Sequence, residues 1–345
     1  MEYLEIRRVS KRFGDVAAVS SADLAAAKGS ITVILGPSGC GKSTLLRIIA
    51  GIEAPDEGAI YLAGRDITGA GPTQRNIAMV FQDYALYPHM NAEKNMTFGL
   101  IMRGVGRREA KERAARAAVL LGIEGLLDKK PGALSGGERQ RLAVGRAIVK
   151  EPSLFLMDEP LSNVDAQFKA AMRIEITRLI RDLEGTMIWV THDQVEAMAM
   201  ADTLAIMKSG TIEAVGAPRG LYEHPPNLFV AGFLGNPPMN IIPAGSAAYR
   251  RLMEDGPAGT DASAIVGVRP EDILIGRGKF TATVLFREDL GFETRLTLAI
   301  ADGPRHETLT ARVVGTPPDV GGTVRFSIDR RRLHLFDTIT ERRLE

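Results

Sequence analysis

The chain has 345 residues, which is enough for two domains. Hydrophobic residues make up 45% and charged residues 25%, and the formal net charge is +1, so nothing global favours nucleic acid or an acidic membrane surface. The single cysteine excludes an internal disulfide and fits a reducing compartment. We expect no signal peptide and no membrane span, because the first residues alternate charged and apolar types and no apolar run approaches ~20 residues. A membrane role would therefore require partners, and we expect no nucleic-acid partner.

The chain up to about residue 28 predicts antiparallel strands, because apolar residues recur in a polar background. A turn is expected at Lys11–Gly14. Phe13 lies in this turn and is the only aromatic residue between Tyr3 and residue 35. Its ring can stack on adenine, and the alternative is packing at the turn.

Residues 30–52 read S-ITVIL-GPSGCGKST-LLRIIAGI. Ile31–Leu35 predicts a buried strand, and the residues from Ser43 onward have the apolar spacing of a helix. A glycine-rich loop of the form G-x-x-x-x-G-K-S between a strand and a helix predicts a phosphate site. The alternative is a glycine-rich turn without a ligand, which the matched flanking elements disfavour.

The residue types of this loop suit a nucleotide. Gly36, Gly39 and Gly41 lack Cβ atoms, so the backbone can point its N–H groups at an anion where the helix begins. Lys42 can reach the β- and γ-phosphates, and the Ser43 hydroxyl is a hard ligand for Mg²⁺. The residues expected to bind ATP here are Gly36, Pro37, Ser38, Gly39, Cys40, Gly41, Lys42, Ser43 and Thr44.

Three later apolar strands end in polar residues, where side chains of a parallel sheet face the ligand crevice. After the first, Gln82 can contact Mg²⁺ and the attacking water. After the second, Asp158 can bind Mg²⁺ through water and Glu159 can take a proton from the attacking water. After the third, His192 can face the γ-phosphate. The alternatives are a surface glutamine, a surface acidic pair and a structural histidine.

Residues 83 to about 150 predict helices. Ser135 and Glu138 fit a capping box at the start of one of them. That interpretation leaves Gly136 and Gly137 unexplained, because glycine is poor at a helix start unless something approaches the backbone closely.

The C-terminal part predicts a different architecture. Proline and glycine between residues 225 and 238 indicate a linker, after which helix signals are lost and short strands predict a small β-barrel. The predicted strands are Ile265–Val268, Phe280–Phe286, Thr294–Ile300, Glu307–Val314, Thr323–Ile328 and Leu333–Phe336.

Together the motifs resemble the ATP-binding-cassette ATPases. The motif Leu134–Gln140, LSGGERQ, is the most specific, because other P-loop families lack it. Gln82–Met90, Gly235–Pro243 and Gly267–Asp272 resemble the subgroup that powers bacterial import of sugars and glycerol phosphates. The other motifs of the set are Gly36–Thr44, Gln82, Leu154–Glu159, Ser162–Asp165 and His192.

The resemblance implies an α/β P-loop NTPase with a RecA-like core at residues 1–235, including a helical subdomain at about 83–155. It also implies a small all-β barrel of the OB-fold, or TOBE, type at residues 236–345. The implied activity is hydrolysis of ATP with Mg²⁺, coupled to transport.

The resemblance also implies roles for further residues. Phe13 would stack on adenine. Ser135, Gly136 and Gly137 would bind the γ-phosphate of ATP held by a second copy, in a homodimer with Asp165 at its interface. Two integral membrane permease subunits would dock near Gln82–Met90, with a periplasmic or extracellular substrate-binding protein as an indirect partner. The chain would lie peripherally at the cytoplasmic face of the bacterial inner membrane.

The motifs also leave other functions open. Importers of polyamine, iron or thiosulfate use similar subunits. A soluble, non-transport cassette protein usually carries coiled-coil inserts or two cassettes, whereas this chain has one cassette and no heptad run. A P-loop kinase should lack LSGGERQ.

Overall fold

The computed structural model describes residues 2–253, 264–300 and 307–344. The chain divides into two compact units, Met1–Pro218 and Arg219–Glu345. The domain boundary predicted between residues 235 and 236 lies inside the second unit and stays a prediction. Among the described residues, no helix is long and apolar enough to cross a membrane.

The first unit contains two sheets. Strands β1, β2, β4 and β5 form an antiparallel sheet in the order β2-β1-β4-β5, and the other six form a sheet in the order β10-β9-β3-β8-β7-β6. In the larger sheet β9, β3, β8, β7 and β6 run parallel, and β10 is the antiparallel edge. The strands are β1 (Glu2–Phe13), β2 (Val16–Ala27), β3 (Ile31–Leu35), β4 (Glu57–Leu62), β5 (Arg65–Asp66), β6 (Ile77–Val80), β7 (Leu154–Asp158), β8 (Met187–Thr191), β9 (Thr203–Lys208) and β10 (Thr211–Gly216).

Helix α1 joins the two sheets into one core. Its leucine and isoleucine side chains are fully buried together with side chains of β1, β4, β7 and β8. Helices α2, α3 and α4 pack against one another and form the helical part predicted near residues 83–150. The helices of this unit are α1 (Lys42–Ala50), α2 (Ala92–Ile101), α3 (Arg107–Leu121), α4 (Gly136–Ile148), α5 (Ala166–Asp182) and α6 (Gln194–Met200).

The predicted strands of the first unit are confirmed, with one difference at the end of β1. Strand β1 continues to Phe13, so the turn lies at Gly14–Asp15 and the turn predicted at Lys11–Gly14 is wrong by a few residues. Helix α5 follows the SNVD motif and was not predicted.

The second unit is built from two antiparallel sheets, in the orders β11-β12-β17 and β15-β14-β13-β16. Side chains of both sheets share one buried cluster, so the predicted all-β fold class is confirmed. Its helices are α7 (Pro218–Glu223), α8 (Leu228–Phe233) and α9 (Ala247–Met253), and its strands are β11 (Asn240–Ile242), β12 (Ala264–Val268), β13 (Ile273–Asp289), β14 (Thr294–Ala299), β15 (Thr308–Val313), β16 (Thr323–Ile328) and β17 (His334–Asp337).

The expectation of a helix-free region after the linker is wrong, because α9 forms there. Its first N–H groups, at Ala247 and Ala248, donate to the carboxylate of Glu307, at 3.0 Å and 2.5 Å. A carboxylate at a helix start satisfies free donors and the positive dipole end. The helix is therefore stabilised by a residue distant in sequence. The predicted linker likewise contains α8, capped by Asn227.

Arg75 fastens the end of α1 to the chain that leads into β6. It is 3% exposed, and its guanidinium donates to the carbonyls of Ile48 at 2.7 Å and Ile49 at 2.8 Å, which belong to the last turn of α1. It also donates to the carbonyls of Thr68 at 2.9 Å and Ala70 at 2.7 Å. One side chain thus serves four backbone acceptors, of which the two in α1 are buried.

We predict that Arg75→Met destabilises the first unit by about 3 kcal/mol, because buried carbonyls lose their donors while the side-chain volume is kept. Unfolding by denaturant can be followed by the fluorescence of Trp189, the single tryptophan, which is fully buried in β8. The matched control is Arg65→Met, at an exposed position. Equal unfolding midpoints for the two variants would contradict this account.

Candidate functional site

The loop between β3 and α1 has no room for side chains at two of its glycines. A Cβ at Gly36 would lie 2.3 Å from the carbonyl oxygen of Met207 and 2.7 Å from Cys40 Sγ. A Cβ at Gly41 would lie 2.1 Å from the carbonyl oxygen of Ala18, and Gly41 has φ of 103°. Space therefore requires glycine at both positions, and the backbone conformation also requires it at Gly41.

The same loop presents a cation and a hydroxyl. Lys42 is 4% exposed, and its Nζ donates to the carbonyls of Gly36 and Pro37, each at 2.9 Å. The Ser43 hydroxyl donates to Asp158 Oδ1 at 2.7 Å. These contacts hold the amine over the loop and the hydroxyl beside a carboxylate at the end of β7.

The two adjacent acids at the end of β7 point to different partners. Asp158 is the last strand residue, whereas Glu159 has φ of 44°, a left-handed conformation that is uncommon outside glycine. The Glu159 N–H donates to the carbonyl of Val190 at 3.0 Å, which fixes the bend. Its side chain consequently turns away from Ser43 and toward His192 and Lys42.

His192 and Lys42 bracket the Glu159 carboxylate. His192 Nδ1 lies 2.9 Å from Glu159 Oε2, and Lys42 Nζ lies 3.9 Å from Oε1. Because an ionised carboxylate only accepts hydrogen bonds, this contact requires a hydrogen on Nδ1. Burial raises the pKa of Asp158, and its hydrogen bond from Ser43 opposes that rise.

Lys42, Ser43 and Glu159 border one cavity of about 490 Å³, which joins the glycine loop to Gln82. Of the described residues, Asp158 and His192 do not line this cavity themselves and contact it through Ser43 and Glu159. Gln82 is exposed, and its carbonyl accepts from Asn163 Nδ2 at 2.9 Å. The cavity also has walls that the sequence did not indicate, from 16–18 at the start of β2 and from the turn Ser209–Gly210. Both walls come from β-hairpins, and the sequence does not show that these hairpins fold against the glycine loop.

Several residues that the sequence predicts for the site do not line this cavity. Phe13 is 48% exposed, with Lys11 Nζ 5.5 Å from its ring centroid, while Val16 borders the cavity. Cys40 is 6% exposed, and burial raises the pKa of its thiol. Among the described residues, the cavity lining includes neither Ser135–Gly137 nor Asp165.

The start of α4 is capped as the sequence predicted. The Ser135 N–H donates to Glu138 Oε2 at 2.7 Å, and the Glu138 N–H donates to Ser135 Oγ at 3.3 Å. A Cβ at Gly136 or Gly137 would come no closer than 3.5 Å to its neighbours, which is ordinary contact. Crowding within this chain therefore does not require glycine at either position.

The fold and the site together define an ATPase of the cassette class. The defining features are a parallel sheet with a phosphate-type loop at its carboxyl edge, an acidic pair, a histidine and an LSGGERQ helix. The chain belongs to the ABC transporter family. It matches that family over residues 19–162 and the TOBE domain over residues 266–336.

The relatives extend over the whole chain. It is 46% identical over 358 residues to the sn-glycerol-3-phosphate import ATP-binding protein UgpC 3 of Rhizobium johnstonii, covering 100% of both chains. It is 43% identical to the sulfoquinovosyl glycerol transport ATP-binding protein SmoE of Agrobacterium fabrum, covering 99% of both. A solved dimeric structure of the ATP-binding cassette MJ0796, bound to ADP and Pi, is 28% identical with a TM-score of 0.57, over 63% of this chain and 99% of that one.

Proposed function

We propose that this chain is the ATP-hydrolysing subunit of a bacterial importer for a glycerol phosphate or a related carbohydrate. The observation that carries the proposal is the single cavity where the glycine loop, Gln82 and Glu159 meet, with His192 on Glu159. The cargo class rests on the relatives, which are named for sn-glycerol-3-phosphate and sulfoquinovosyl glycerol.

The residues at the loop fit Mg²⁺ as well as ATP. Ser43 Oγ and Asp158 Oδ1 are hard oxygens 2.7 Å apart, and Gln82 borders the same cavity. Mg²⁺ keeps several water and phosphate ligands, so a few protein oxygens suffice. When bound, the ion would supply charge neutralisation for the phosphates. A cation there would also favour ionised Asp158, whose pKa burial raises.

The chemical step rests on Glu159 as the base that accepts a proton from the attacking water. His192 would act as a positioning residue that holds this carboxylate through Nδ1. Lys42 and the loop N–H groups would hold the phosphates.

Two copies would complete each site. Ser135, Gly136 and Gly137 lie outside the cavity of their own chain, and the glycines are not crowded from within. They begin a 13-residue helix, whose free N–H groups attract phosphate. In a homodimer they would contact ATP bound to the other copy, with Asp165 at the interface and the Phe13 ring on adenine.

The proposed assembly places this subunit peripherally at the cytoplasmic face of the inner membrane. Its partners would be two integral membrane permease subunits and, through them, a substrate-binding protein. ATP binding would close the dimer and hydrolysis would reopen it, which moves the permease.

We predict that Glu159→Gln retains ATP binding and lowers the turnover of Mg-ATP by roughly 10² or more, since the base is lost while the volume is kept. Steady-state hydrolysis and a fluorescent-nucleotide titration measure the two effects separately. The control is Glu151→Gln, an exposed acid outside the cavity. Unchanged hydrolysis in Glu159→Gln would reject the assignment of the base.

We predict that deletion of the gene in its host removes most uptake of radiolabelled sn-glycerol 3-phosphate or of one related carbohydrate. The wild-type gene should restore uptake and Glu159→Gln should not, because the importer then lacks its energy source. The tagged subunit should also copurify with two integral membrane proteins. Loss of uptake of a polyamine, iron or thiosulfate instead would replace the cargo class, and the absence of any membrane partner would reject the importer.

A further inference from the structure

Glu196 is a buried acid to which the proposed chemical step gives no role. It lies in α6, four residues after His192, and is 4% exposed. Burial raises the pKa of its carboxyl, and hydrogen bonds from the side chains of Thr191 and Trp189 oppose that rise. Burying a carboxyl costs free energy unless it gains specific partners. The position of this side chain in the core therefore needs an explanation.

Glu196 does not serve as a helix cap, although its sequence position would suit one. Asp193 is the N-cap of α6, and a glutamate three residues later often reaches back to the N-cap N–H. Here the Asp193 N–H donates to Thr191 Oγ1 at 2.9 Å instead. Asp193 Oδ1 accepts from the N–H groups of Val195 at 2.8 Å and Glu196 at 3.2 Å. The start of α6 is thus capped without the Glu196 carboxyl.

The Glu196 carboxyl instead joins α6 to β8. Trp189, in the middle of β8, donates from Nε1 to Glu196 Oε2 at 3.2 Å, and both side chains are buried. Thr191, the last residue of β8, forms the second side-chain hydrogen bond to this carboxyl. Because the Thr191 oxygen accepts from Asp193, its hydroxyl hydrogen can be donated to Glu196. Thr191, and through it Asp193, is therefore tied to Glu196.

The same strand end also holds the backbone of the proposed base. The carbonyl of Val190, between Trp189 and Thr191, accepts from the Glu159 N–H at 3.0 Å. The side chains of Glu159 and His192 then meet, with Nδ1 2.9 Å from Oε2. Two separate attachments to β8 thus set this contact, one for each partner.

His192 lies in the bend between Thr191 and Asp193. We propose that Glu196 is a positioning residue for His192 and acts through the Thr191 hydroxyl. The His192 side chain is 52% exposed, so packing alone does little to orient it, and the backbone on either side must be fixed. The inference rests on the proposed function, because it concerns the step in which Glu159 accepts a proton.

The matched test uses two substitutions at Thr191. Thr191→Val removes the hydroxyl and keeps the branched shape, whereas Thr191→Ser keeps the hydroxyl. We predict that Thr191→Val lowers kcat for Mg-ATP roughly tenfold or more and leaves KM within about twofold, because the phosphate loop is intact while His192 is displaced. Thr191→Ser should retain most of the wild-type kcat. Equal kcat values for the two variants would contradict the inference.

Glu196→Met removes the carboxyl at similar volume, and its effect should depend on His192. Alone, it should lower kcat as Thr191→Val does. In a His192→Ala background it should lower kcat by no more than about twofold further, because the residue that it positions is absent. Glu112→Met, at an exposed position of α3, is the control and should hydrolyse ATP as wild type. Losses that multiply in the double variant would indicate a merely structural role and overturn the inference.

A readout without catalysis separates this inference from the proposed function. The chain has five histidines, and the His192 ring resonance can be assigned by its loss in His192→Ala. In nucleotide-free protein, Thr191→Val and Glu196→Met should both move this resonance toward its position in Glu159→Ala, and Thr191→Ser should not. The two sites are independent tests if one variant folds poorly.

The two failures give different results. An unmoved His192 resonance in Thr191→Val and Glu196→Met would overturn the positioning role. If the resonance moves as expected but Glu159→Gln hydrolyses ATP at the wild-type rate, the positioning of His192 stands and the proposed function fails.

Discussion

The structure depends on the absence of two side chains. At Gly36 and Gly41 an added Cβ would lie only 2.3 Å and 2.1 Å from backbone oxygens of β9 and β2, so any side chain would displace the loop. Without side chains at these two positions, the chain can pass from β3 into α1 through a tight loop. The helix and its buried leucines then lie between the two sheets and hold them as one core. Folding and nucleotide binding therefore share a single constraint in this unit.

The second constraint separates two neighbouring carboxylates. The carboxylates of Asp158 and Glu159 would repel each other if both side chains faced the same ligand. The left-handed backbone at Glu159 sends one acid to Ser43 and the other to His192. Such strain persists because the Glu159 N–H is fixed on β8. The metal role that we propose for Asp158 and the proton-accepting role that we propose for Glu159 can thus occupy consecutive residues without competing.

The sequence predicted the core strands well because strands such as 31–35 and 187–191 are buried on both faces. Such strands are continuous apolar runs, which differ clearly from the alternating pattern of a half-buried strand. It also predicted the residues at the strand ends. It could not predict features that depend on distant partners, such as the Glu307 cap of α9 or the cavity wall at 16–18. Nor could it indicate that Arg75 would fasten α1, since an isolated arginine has no local signal.

The proposed nucleotide site is completed only by residues of a second chain. Each chain carries a phosphate loop in a cavity and an LSGGERQ helix start outside that cavity, so ATP should join two chains. The most direct measurement is sedimentation velocity of Glu159→Gln at saturating Mg-ATP, with nucleotide binding measured in the same sample. The account predicts a doubled mass that reverts when nucleotide is removed. Adding Gly137→Asp should abolish the doubling but not ATP binding, because a carboxylate suits the helix start and repels phosphate. Single molecules with ATP fully bound, or doubling that survives Gly137→Asp, would contradict the account.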